Sequence, residues 1–150
     1  MNRWLKLAIL VGGAALLAAT FIDTIAVIGR HIGYPFIGSI ELMQAVVLVS
    51  GGIGVVIATV ENCHARVRLL VDRLEGACRV LADRLSDALT LLFFLVLLAG
   101  ATWIVADLWN AHEQSEVIGV PWLVLRIFAN LCLLVGSVVL LARIFGKVRP

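Results

Sequence analysis

The chain has 150 residues, of which 62% are hydrophobic and 15% charged, with a formal net charge of +2. A soluble domain is nearer about 45–50% apolar, so the surplus exceeds what one small core can bury and must face lipid. So slight a positive balance, gathered between apolar stretches, argues against a nucleic-acid partner and fits membrane topology.

Four stretches are long and apolar enough to cross a bilayer, at about 5–28, 40–60, 88–109 and 120–144. The first follows Arg3 and Lys6 and so invites comparison with a signal peptide. It is too long for such an apolar region and lacks a convincing small-residue cleavage site, so it is expected to be a span. Asp23 lies in its later part, and Gly12 and Gly13 lie within it. The loop 29–39 follows. Span two then opens with Gly38-Ser39-Ile40-Glu41-Leu42. Ser39 or Gly38 can cap this helix, and a carboxylate in the first turn suits its positive end. Gly51, Gly52 and Gly54 sit inside span two, where small residues let helices approach closely.

The segment 62–87 is too polar to span. Val67, Leu70, Leu74, Cys78, Leu81 and Leu85 share one helical face, with Arg68, Asp72, Glu75, Arg79, Asp83 and Asp87 opposite. Such a helix can lie in the interface on the cytoplasmic side, or it can extend span two or three and pack on its neighbour. Span three carries Asp107 near its end, and span four carries Arg126 about two turns in. Pro121 falls in the first turn of span four, where a missing N–H costs nothing. The expected fold is all-α: a single four-helix transmembrane domain plus one cytoplasmic-side amphipathic interfacial helix.

Orientation follows from Lys and Arg. Arg3, Lys6, Arg66, Arg68, Arg73, Arg79, Arg84, Arg143, Lys147 and Arg149 fall on one side, and only Arg30 on the other. Placing the basic side in the cytoplasm puts both termini inside and leaves 29–39 and 110–119 as outer loops. Trp103, Trp109 and Trp122 then mark the outer interface and Trp4 the inner one. Cys63, Cys78 and Cys132 show no paired spacing and read as free thiols.

Residues for catalysis are scarce. His31, His64 and His112 have no metal-site spacing with Cys, Asp or Glu, and no phosphate-binding loop, nucleophile elbow or haem-attachment motif is present. No catalytic or metal-binding residue, no resident cofactor and no enzymatic activity are expected. Ionisable groups inside spans are costly and need water, a partner or a protein interface. Asp107 and Arg126 lie toward the same side and are within reach of an ion pair. Asp23 can pair with Arg126 or snorkel outward, and Glu41 can bridge to Arg30. These five residues read as structural or interface contacts, with a proton or ion relay as the competing reading for Asp23, Asp107 and Arg126.

Three short stretches carry a resemblance. The first is Arg30 at the end of span one, a loop with Pro35, then Ser39-Ile40-Glu41-Leu42 opening span two. The second is His64-Ala65-Arg66 after span two. The third is Ser115-Glu116-Val117-Ile118-Gly119-Val120-Pro121-Trp122 at the entry to span four. In this order within four spans they resemble the small membrane (Q) subunit of tripartite ATP-independent periplasmic (TRAP) transporters. His31 departs from that pattern, which often has an aromatic residue after the Arg.

The resemblance implies a scaffold in the bacterial inner membrane. Its partners would be a large multi-span subunit holding the substrate and sodium sites and a periplasmic binding protein. The substrate would be an organic acid. Glu113 and Glu116 become candidate contacts for the binding protein, or simple solvated loop acids. Two alternatives share part of the pattern: the small subunit of a tripartite tricarboxylate transporter, which lacks the Arg30 to Glu41 motif, and a membrane anchor subunit of an enzyme complex. The anchor would need haem-ligand histidines within spans, whereas His31, His64 and His112 fall at span ends or in loops.

Overall fold

The computed structural model describes residues 3–61, 77–111 and 113–146. They form four helices, α1 (Arg3–His31), α2 (Ser39–Val60), α3 (Ala77–Asp107) and α4 (Trp122–Ile144). Among the described residues there is no β-strand, only an isolated antiparallel bridge between Gln114 and Pro121. Each helix is long and apolar enough to cross a membrane. The protein is therefore an all-α, multi-pass membrane protein.

Among the described helices, α1 packs on α2, α2 on α4, and α4 on α3. The lateral order is α1–α2–α4–α3, an open row rather than a closed bundle. α2 and α3 are consecutive in this set, yet α4 stands between them. No more than 22% of any span is buried inside the chain. Large apolar side chains such as Leu17, Phe21, Leu92, Val96 and Val138 are accordingly exposed. Lipid can cover these surfaces, because hydrocarbon tails are as apolar as leucine.

Small residues set the contacts in this row. Gly12 of α1 meets Ile53 of α2, where a side-chain Cβ on the glycine would lie 3.1 Å from the Ile53 methyl. Beside it, the Ser50 hydroxyl donates to the Gly12 carbonyl at 3.0 Å. Gly52 of α2 faces Phe128 and Cys132 of α4, with 3.0 Å to each from the equivalent Cβ position. Gly136 of α4 receives the Phe94 ring of α3 at 2.7 Å in the same sense. Gly12 and Gly52 thus perform the packing expected of them. Gly13, Gly51 and Gly54 meet nothing within 4 Å and face outward.

Ala19 and Ala26 of α1 are buried, and a second group of buried residues lies along α4, where α2 and α3 pack on it. Leu140 and Thr59 are fully buried, and Ser137, Phe94 and Cys132 are nearly so. The hydroxyls here need partners in an apolar setting, and each finds one on its own helix. Thr59 donates to the Val55 carbonyl at 2.8 Å, and Ser137 to the Leu133 carbonyl at 2.8 Å. One turn further on, Arg143 donates to the carbonyls of Thr59 at 2.5 Å and Val60 at 2.7 Å. A cation thereby satisfies the orphan acceptors at the C-terminus of α2.

Where the segment expected over 62–87 is described, it takes the second of the two possible forms, an extension of span three rather than a separate interfacial helix. From Ala77 to Asp107 the backbone is one uninterrupted helix of 31 residues. Residues 77–87 are the first turns of α3, not the end of a separate interfacial helix. The reason is local: from Leu81 to Leu92 the chain contains neither Gly nor Pro, so nothing stops the helix near Asp87. Leu81 and Leu85 of the apolar face remain exposed. Residues 62–76 of that segment lie outside the described residues.

Candidate functional site

Asp23, Arg30, Glu41, Asp107 and Arg126 lie toward one end of the row, where α1 and α3 finish and α2 and α4 begin. Two connections close this end. The shorter, 32–38, folds back on α1: the Tyr34 N–H donates to the Gly29 carbonyl at 2.9 Å. A Cβ on Gly29 would come within 2.5 Å of the Tyr34 carbonyl oxygen, so only glycine admits this approach. The connection ends at Gly38, whose φ of 87° is left-handed. Gly38 caps α2 with no side-chain hydrogen bond, and Ser39 is already the first residue of the helix. Of the two expected cap residues it is Gly38, not Ser39, that holds the position.

The longer connection, 108–121, forms a small closed loop. The Ser115 N–H donates to the Val120 carbonyl at 3.0 Å, and the Gly119 N–H returns to the Ser115 carbonyl at 3.1 Å. Gly119 takes φ 73°, which lets the loop reverse inside this ring. At its base the Trp122 N–H donates to the Glu113 carbonyl at 3.3 Å. Pro121, with φ −73° and ψ 108°, is the N-cap of α4.

Glu41 ties this loop to α2. Its carboxylate accepts the Ser115 hydroxyl. It also accepts the Val117 N–H at 3.2 Å and the Ile118 N–H at 3.1 Å. Successive N–H groups aimed at one carboxylate form an anion-binding concavity, and here the anion comes from the same chain. The side chains of Val117 and Ile118 press on Gly38, where a Cβ would meet them at 2.9–3.0 Å. Glu41 therefore joins the start of α2 to the entrance of α4. This connection is absent from the sequence pattern, which marks Glu41 only as an acid at a helix start.

The ion pairs differ from those expected. Arg126 pairs with Glu113 at 2.7 Å, not with Asp107 or Asp23. The chain turns back over 113–122 and brings Glu113 above the first turns of α4. Arg30 does not bridge to Glu41: its Nε donates to the Ala26 carbonyl at 3.2 Å, while Glu41 is engaged by the loop. Both still line one cleft of about 440 Å³, together with 35–40 and Val117. Asp23 and Asp107 are exposed on their helices and make no ion pair among the described residues. Glu116 is exposed on the loop, whereas Glu113 holds that loop to α4.

A second, more polar cleft of about 460 Å³ opens between α2 and the long loop, bordered by Glu41, Gln44, Glu113, Glu116, Trp122 and Arg126. Among the described residues no three of His, Cys, Asp and Glu come together as metal ligands would. His31 spends its Nδ1 on the Val27 carbonyl at 2.9 Å. The arrangement provides a polar, hydrogen-bonded face on one end of an apolar row.

The family model described as "Tripartite ATP-independent periplasmic transporters, DctQ component" matches residues 19–149. The match includes Asp23, Arg30, Glu41 and the whole loop of Glu113 and Ser115. No significant match was found among curated proteins.

Proposed function

The chain belongs to the DctQ component family, the small membrane subunits of TRAP transporters, and from that premise we propose that it is the scaffold for the large transport subunit and a docking platform for the periplasmic binding protein. The observation that carries this reading is the open row itself: four spans with exposed apolar flanks and one polar, loop-built end. A solute needs a wet path with convergent polar groups, and such groups are costly unless they line a cavity. In this chain the polar groups at the loop end are largely spent on holding loops. The solute path, and sodium coupled to it, are accordingly assigned to the large subunit, with an organic acid as cargo.

The loop end is assigned to the periplasm and both termini to the cytoplasm of an inner membrane. The distribution of Lys and Arg supports this, since Arg30 alone lies at the loop connections. Glu116 and the polar cleft beside Glu41 would then face the binding protein. Glu113 is a poorer contact, because Arg126 already engages it.

Deletion and reconstitution test the reading. Loss of this chain should abolish binding-protein-dependent uptake, and its return should restore it. Liposomes holding this chain alone should take up no organic acid under a sodium gradient, whereas liposomes holding both membrane subunits with the binding protein should do so. Uptake by the chain alone would sink the scaffold reading.

A further inference from the structure

Resting on the subunit reading above, we propose that the edge of α1 around Asp23 is a seat for the large membrane subunit, which presents a Lys or Arg side chain to the Asp23 carboxylate.

Depth comes first. α1 has 29 residues, so it is about 43 Å long. A hydrocarbon core of about 30 Å leaves an overhang of roughly 6–7 Å at each end. Asp23 precedes the end of the helix at His31 by eight residues, or about 12 Å. With α1 centred on that core, Asp23 lies roughly 5 Å inside the hydrocarbon boundary. Its side chain is short, and the Cα–Cβ bonds of a helix tilt toward the N-terminus, here away from the loop end. Asp23 cannot snorkel outward as a Lys or Arg would.

Its surroundings leave it unserved. On one side Ala19 and Ala26 are buried against α2, and on the other Leu16 and Val27 are exposed. Thr20 does not assist, because its hydroxyl donates to the Leu16 carbonyl at 3.1 Å. Thr24 likewise donates to the Thr20 carbonyl at 2.7 Å. Arg30 borders the same narrow groove two turns on; its Nε donates to the Ala26 carbonyl, and no ion pair joins it to Asp23. Asp23 makes no ion pair among the described residues.

An acid facing lipid is unfavourable unless it finds water or a partner. The cost disappears when protein covers the residue and supplies the opposite charge. Among the described residues α1 stands at the end of the row and packs only on α2, so its outer flank is open to a partner. The other end of the row offers a contrast. α3 carries no ionisable residue between Asp87 and Asp107, and Leu89, Leu92, Val96 and Trp103 cover its outer face. Lipid suffices there.

The experiment uses the complete transporter, purified through a tag on this chain, with the membrane level of the chain measured in parallel. Photo-crosslinking residues at Leu16 and Val27 should link to the large subunit. Neither position replaces Asp23, so the probe does not depend on how its variants fold. Asp23→Asn should lower recovery of the large subunit by about tenfold, at unchanged membrane level of this chain, and Asp23→Glu should restore most of it. Silent probes at both positions in a complex that still co-purifies would overturn the seat while leaving the subunit role intact. Equal recovery with Asp23→Asn would overturn the cationic partner. Silent probes with an Arg30→Gln effect matching that of Asp23→Asn would assign the pair to this chain instead. Failure of the unaltered chain to co-purify with a large subunit would overturn the subunit reading, and this seat with it.

Discussion

Glu41 is fastened to Ser115, 74 positions later in the chain, and to two backbone N–H groups beyond it. Removing the carboxylate leaves those donors without their acceptor, and a lost partner is felt more than a missing bond. Glu41→Ala and Ser115→Ala should both free the 113–120 loop, with Glu41→Ala the stronger. Limited proteolysis of the chain in detergent micelles should show faster cleavage there, with the spans uncut. Arg126→Leu should matter less: its pair with Glu113 is partly exposed, at 30% and 39%, and such pairs contribute at most about 1 kcal/mol. The sequence marks Glu41, Arg126 and Glu113 as polar groups near one boundary. Their pairing depends on how a loop reverses, and no spacing rule encodes that reversal. Proximity of spans suggested Arg126 with Asp107, yet the chain brings Glu113 closer.

Helix contacts in this row depend on which glycines face a neighbour. The Cβ position of Gly136 lies 2.7 Å from Phe94. Gly136→Leu should therefore force α3 from α4 and cost about 1–3 kcal/mol or more through overpacking. Gly51 meets nothing within 4 Å, so Gly51→Ala should be neutral or stabilising by up to about 1 kcal/mol through helix propensity. Thermal unfolding of the two variants in one detergent checks the contrast. Arg143→Ala should also lower the midpoint, since it strips two carbonyls at the end of α2 of a charged donor. The glycine-rich run of α2 was legible as a packing surface, but not which glycine packs. Helical steps of about 100° turn Gly52 inward and Gly51 outward, and the absolute phase follows from Phe128 and Cys132 on α4. The start of α3 was obscured for another reason. Charge patterning marks a change of environment near Asp87, but with neither Gly nor Pro from Leu81 to Leu92 the helix carries on through it.

At the scale of the whole molecule, span number, helical class and family were legible, because length and apolarity register directly in composition and the three motifs fall in a fixed order. The lateral order was not, since apolar spans carry little record of which neighbour they choose. Single cysteines placed in the 32–38 loop and near residue 146 should label from opposite sides of the membrane. A variant lacking Cys63, Cys78 and Cys132 provides the background for that measurement. Labelling from the same side would overturn the assigned topology.

The order α1–α2–α4–α3 also bears on how the protein is made. Synthesis delivers α1 and α2 as neighbours, and this hairpin can close as soon as it enters the bilayer. α3 then arrives with no face among the earlier helices to receive it, because its only described contact is α4. It must wait in lipid or beside the insertion machinery until the last span is complete. Phe94 finds its place against Gly136 only then, so the final span acts as the latch of biogenesis. Chains cut short before residue 136 should leave α3 as a quality-control target, degraded from an otherwise paired α1–α2 hairpin.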